Sequence, residues 1–96
     1  MPMNDSPQQL HFLRAYILRF FMADGAKQTG DLLRVPEMQC YDRRYLRHLV
    51  YGMALAGLLE TWGRTSGAWF MTSRLGFVVL VTLEHEYLAD KHKRSR

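Results

Sequence analysis

Ninety-six residues, 48% of them hydrophobic and 23% charged, describe one ordinary globular domain, large enough to bury a core and too small for two. The net charge of +4 permits an anionic partner without requiring one. A single cysteine, Cys40, excludes an intramolecular disulfide and a cysteine-based zinc site.

The longest apolar run, Phe77 to Leu83, is far short of the ~20 residues a membrane-spanning helix needs. The first residues lack a basic region followed by an apolar one. The expectation is a soluble cytoplasmic protein, with Cys40 acting as a small buried hydrophobe. Residues 1–6 read as a flexible N-terminus, 7–90 as one domain and 91–96 as a basic tail.

Ser6 and Pro7 form a helix start. Gln8 to Ala23 then reads as a helix, with Leu10, Leu13, Ile17, Phe20 and Phe21 at helical spacing on one stripe. Phe12 and Tyr16 lie on a different side. Asp24-Gly25 ends the helix, with Gly25 suited to a left-handed cap. Ala26 to Gln28 fits a short strand. Thr29 can cap a short helix, Gly30 to Val35, that turns Leu32, Leu33 and Val35 inward. Pro36 disfavours helical geometry at Val35, and Glu37 to Cys40 makes a turn.

A third helix starts near Tyr41-Asp42, where the Asp42 carboxylate can accept backbone N–H bonds. It carries two stripes. Leu46, Leu49, Val50 and Met53 form one; Arg44, Arg47, His48 and Tyr51 form the other, flanked by Arg43 and Tyr45. At about 100° per residue the stripes oppose each other, so burying the first must expose the second.

The helix ends around Ala56-Gly57. Leu58 to Gly63 and Ala68 to Ser73 alternate as strands, with Trp69 and Phe70 supplying bulk. The turn between them, Arg64-Thr65-Ser66-Gly67, is built of residues that tolerate unusual dihedrals.

The last helix runs from Arg74 to about Asp90. Its first half is apolar almost all round: Leu75, Val78, Val79 and Leu83 are assigned to one face, and Phe77, Leu80 and Val81 to the other, extended by Tyr87 and Leu88. A helix apolar on all sides is normally buried on all sides. The second face, with Phe12 and Tyr16, is therefore expected to form a homodimer contact; the competing reading is a central helix inside the monomer.

The order helix, short helix, turn, helix, hairpin, helix resembles that of winged helix-turn-helix domains, over about residues 8 to 85. The step Ala56-Gly57-Leu58-Leu59-Glu60 and the closing Thr72-Ser73-Arg74-Leu75-Gly76 are similar to recurrent segments of bacterial regulators in that superfamily. The second is one residue longer than the commonest Thr-x-x-Gly. Tyr41-Asp42 stand where Ser or Thr usually opens the recognition helix.

The resemblance implies a mainly α fold with a small β-hairpin: a three-helix core, a two-stranded wing and a C-terminal helix. It implies a small transcription regulator that binds double-stranded DNA, with helix 41–57 in the major groove. Arg43, Arg44 and Arg47 would then face guanine edges or phosphates, because a guanidinium offers paired donors to O6 and N7. His48 and Tyr51 would add hydrogen bonds. Arg64, Thr65 and Ser66 would lie against phosphate or the minor groove. Arg14, Lys27 and the basic tail would add sequence-blind attraction.

Winged helices also serve as protein-binding modules. Tyr16, Tyr41, Tyr45, Tyr51 and Trp62 read as exposed aromatics, which suit a protein partner, for example a host protein bound by a phage- or plasmid-encoded factor. Arginines paired with Glu37 or Asp42 would be a plain solvated face. Catalysis finds little support, and no catalytic residue is assigned. His11, His48, His85 and His92 lack metal-ligand spacing, so no metal or other cofactor is expected. Glu84, His85 and Glu86 read as polar surface.

Overall fold

A computed structural model describes residues 7–63 and 67–94, with side chains described for 9–63 and 67–86. The expected flexible segment 1–6 lies outside the described residues. The fold is mainly helical with a small antiparallel sheet. In chain order it runs α1 (Pro7–Met22), β1 (Lys27–Gln28), α2 (Thr29–Leu33), a 3-10 turn (Pro36–Met38), α3 (Arg43–Leu55), β2 (Leu59–Trp62), β3 (Trp69–Thr72) and α4 (Arg74–Arg94).

α1 turns Leu13, Ile17 and Phe21 into the core, as its spacing requires, and Leu18 joins them. Leu18 stands outside the expected stripe; it is buried because β3 packs on that side of α1 as well. Asp24 and Gly25 both take positive φ, 60° and 83°, at the helix end. The Lys27 ammonium then folds back and donates to the carbonyls of Phe20 (2.9 Å), Gly25 (3.4 Å) and Ala23, above the Phe20 ring. A cation there satisfies carbonyls that the helix leaves unpaired. Lys27 is therefore an internal cap and not a free surface charge.

β1 does more than the sequence reading assigns to it. It pairs with β3, so the sheet has three strands in the order β1-β3-β2, where a two-stranded hairpin is expected from sequence. The α2 helix is shorter than expected and begins after Gln28, not Thr29: the Asp31 carboxylate accepts the Gln28 N–H at 2.9 Å, a capping interaction. Val35 is extended at ψ 131°, as its proline neighbour demands. The following turn hides Met38 in the core and leaves Cys40 exposed, contrary to the expected buried thiol. A single 3-10 turn has too few residues for periodicity to show which of them points inward.

α3 ends in a Schellman motif. Gly57 adopts φ 84°, its N–H donates to the Ala54 carbonyl at 3.0 Å, and the Leu58 N–H donates to Met53 at 2.9 Å. The Gly-Leu step is thus a helix terminator that aims the chain into β2. The segment after β3 closes on the same point. Ser73 Oγ donates to the Gly57 carbonyl at 2.6 Å and accepts the Gly76 N–H at 3.0 Å, while the Ser73 N–H donates to Leu58 at 3.0 Å. Thr72 Oγ1 reaches across to the Leu18 carbonyl at 2.6 Å.

Gly76 sits so close to this junction that a Cβ would run into the Leu58 carbonyl oxygen and lie 2.8 Å from Thr72 Cγ2. That close seat sets the rotation of α4. Leu80, four residues on, enters the core at 3% exposure, with Val79 and Leu83 packed beside it. Leu80 is therefore not available on the outer face to which its sequence spacing assigns it. Leu75 and Val78, expected inside, point outward with Phe77 and Val81, each about half exposed. α4 also continues to Arg94, so most of the expected tail is helical.

Candidate functional site

The two stripes of α3 separate as expected. Leu46, Val50 and Met53 are buried and Leu49 is packed against the core. Burial of three such side chains contributes about 2 kcal/mol each, which no gain from turning the arginines inward could offset. Arg43, Arg44, Arg47 and His48 are consequently exposed along a helix of 13 residues, about 20 Å long. Tyr45 is half-buried against the core rather than part of the outer face.

Asp42 caps α3: its carboxylate accepts the Tyr45 N–H at 3.2 Å. Its charge is directed at the helix's own first turn. Glu37 accepts a hydrogen bond from the Tyr16 hydroxyl at 3.4 Å. Among the described residues the ion pairs are Arg19–Glu84 and Arg34–Asp31, so none involves Arg43, Arg44 or Arg47. The alternative reading, in which some of these arginines pair with Glu37 or Asp42, has no such ion pair among the described residues.

Tyr51 continues the exposed stripe and sets its ring edge-on against Phe70, with centroids 6.3 Å apart. Beyond it Leu55 is 89% exposed, a residue the sequence reading did not single out. Its position four residues after Tyr51 was the available signal, because it extends the outer stripe by one turn.

The β2–β3 hairpin rises beside α3, packed against it through β2. The register pairs Trp62 with Trp69 and Thr61 with Phe70. Neighbouring strand positions face opposite ways, so Phe70 enters the core while Trp62 (47% exposed) and Trp69 (46%) stand together on the outer face. Both tryptophans are thus surface residues, Trp62 as its sequence reading expects. Arg64, Thr65 and Ser66 lie outside the described residues.

Of the residues assigned to a subunit contact, Phe12, Phe77 and Val81 are about half exposed. Tyr16 is half-buried, and Tyr41 likewise packs against the core. The side chains of Tyr87 and Leu88 lie outside the described residues. No helix among the described residues is long and apolar enough to cross a membrane. No group of metal-binding side chains is found among them either.

Burial and the hydrogen bond to Glu37, with the Glu37 charge beside it, hold the Tyr16 phenol above its ordinary range, desolvation being the largest cause.

Family models, curated proteins and solved structures yield no match to this chain.

Proposed function

We propose that this protein binds double-stranded DNA sequence-specifically as a small winged helix-turn-helix transcription regulator, a binding protein and not an enzyme, working in the cytoplasm. The reading places α3 in the major groove and the turn at 64–67 on the backbone or minor groove. One observation carries it. Arg43, Arg44, Arg47 and His48 are exposed on one face of a helix whose other face is core, with no ion pair to those arginines among the described residues. The element order and the β1-β3-β2 sheet beside α3 are compatible with that assignment.

A salt-dependent gel-shift assay on mixed DNA tests it, followed by selection of bound sequences from a random pool. Arg44→Ala with Arg47→Ala should lower affinity steeply and reduce the slope of log K against log salt by about 2 if both contact phosphate. Stability should change by less than about 0.5 kcal/mol per exposed substitution. Unchanged affinity in the double variant, or no DNA bound at low salt, sinks the reading.

We infer a homodimer through the outer face of α4, where Leu75, Phe77, Val78 and Val81 are exposed together. Two recognition helices would then sit about one DNA turn, ~34 Å, apart.

A protein-binding module is the second reading, favoured by the Trp62–Trp69 pair and by Leu55 at 89% exposure. Aromatic residues with arginine also make protein interfaces. In that case Trp62→Ala would abolish partner binding and the double arginine variant would bind DNA no worse than the parent.

A further inference from the structure

A concavity lies between α1 and α4, with a volume of about 590 Å³. Small-molecule sites typically occupy roughly 300–1,000 Å³ and combine apolar walls with a few polar groups. Here Phe12, Ala15, Phe20 and Leu83 supply the walls. Arg19 and Glu84 supply the polar end, joined as an ion pair, and His11 stands on the rim. The Tyr16 ring contributes to the wall while its hydroxyl is turned to Glu37.

We propose that this cleft binds a small organic anion with an apolar, ring-sized body. The inference is independent of the DNA-binding reading. A guanidinium carries five N–H donors, and one carboxylate uses at most part of them. The Arg19 side chain is 65% exposed, so its remaining donors are accessible to a second carboxylate. Charge-assisted hydrogen bonds of this kind are stronger than neutral ones. An amine would have to share Glu84 with Arg19 and would be repelled by it. A neutral ligand would gain from the walls alone. The Arg19 guanidinium keeps donors beyond those Glu84 uses, whereas the Glu84 carboxylate is already engaged by it, and that imbalance selects an anion. The walls select its body, since each buried CH₂ contributes about 0.8 kcal/mol.

The test titrates the full chain with 2-naphthoate and, separately, with the neutral 2-naphthylmethanol, following backbone amide resonances. Naphthoate should shift Ala15, Arg19, Phe20, Leu83 and Glu84 and should bind about ten-fold tighter than the alcohol, a difference of ~1.4 kcal/mol. Arg19→Gln should bring the two to equal affinity. Glu84→Gln should tighten naphthoate binding several-fold by freeing the guanidinium. Ala15→Trp should abolish binding of both by filling the cleft. If Ala15→Trp fails to fold, the two substitutions at the polar end decide the matter, since both sites are solvent-accessible. Equal binding of acid and alcohol by the parent chain overturns the proposal. So do shifts centred elsewhere, or no saturation by ~10 mM. Conversion of a dimer to a monomer by Ala15→Trp would identify the cleft as a seat for a second copy and would also overturn it.

Discussion

Asp42 shows how one side chain can serve the fold and bear on the function with opposite signs. Its carboxylate caps α3 by accepting the Tyr45 N–H, which favours the helix, yet it puts a negative charge beside the arginine face. Asp42→Ala should cost about 1 kcal/mol of stability. Asp42→Asn should cost far less, because asparagine caps nearly as well, and under the DNA reading it should raise affinity. Urea denaturation and a gel shift on the same two variants separate these effects; weaker DNA binding by the asparagine variant would contradict the proposed orientation.

Tyr16 allows a pH test. Burial and the hydrogen bond to Glu37 raise its folded pKa above the unfolded value of about 10. The folded state therefore holds this proton more tightly than the unfolded state does. The associated stability is complete below pH ~10 and is lost as pH rises through the folded pKa. Relative to Tyr16→Phe, the parent should lead at pH 8, and its lead should shrink above pH 10. A lead that grows with pH would show that Tyr16 is not held in its neutral form.

At the scale of elements, the junction of α3, the hairpin and α4 is held by a dense set of hydrogen bonds. Gly57, Leu58, Ser73 and Gly76 exchange five hydrogen bonds with one another or with the end of α3. Gly76→Ala would force a methyl group into the Leu58 carbonyl and should destabilise by about 1–3 kcal/mol or more. The urea midpoint should fall with an unchanged m-value. A neutral result would mean that α4 can ride away from the hairpin without loss.

This junction also marks where the sequence stops being legible. The cap and the two stripes of α3 could be read, because a single amphipathic helix encodes its own orientation in its period, although Tyr45, read beside the arginines, is half-buried. α4 could not. Its first half is apolar all round, so periodicity leaves its rotation undetermined, and the choice is made by Gly76 seating against a carbonyl 18 residues earlier in the chain. That contact moves Leu80 inward and Leu75 and Val78 outward. The Trp62–Trp69 pair was missed for a related reason. Two bulky neighbours, Trp69 and Phe70, cannot both face the core in a strand, and only the pairing register says which one does. β1 is legible as a short strand but not in its pairing with β3, because two residues carry no alternation, and the α1–α4 cleft exists only once both helices are in place.

For the whole molecule, the consequence of that rotation is an apolar outer face on α4 that the described residues leave uncovered. Soluble monomers rarely expose large contiguous apolar patches. Val78→Glu with Val81→Glu should abolish self-association while leaving folded stability within about 1 kcal/mol, because both sites already face solvent in the single chain. Sedimentation velocity decides this directly: a parent that stays monomeric at high concentration ends the homodimer proposal. The same double substitution should reduce DNA affinity more strongly on a two-half-site target than on a single half-site.

The packing of α1 on α4 has a consequence for synthesis. On the ribosome α1 is made before β3 and α4, the elements on which Leu18, Phe21 and their neighbours pack. α2, α3 and the hairpin can assemble earlier from nearer contacts. The part of the α1 apolar face that packs on β3 and α4 stays uncovered until those elements follow, and docking of α4 completes its shielding.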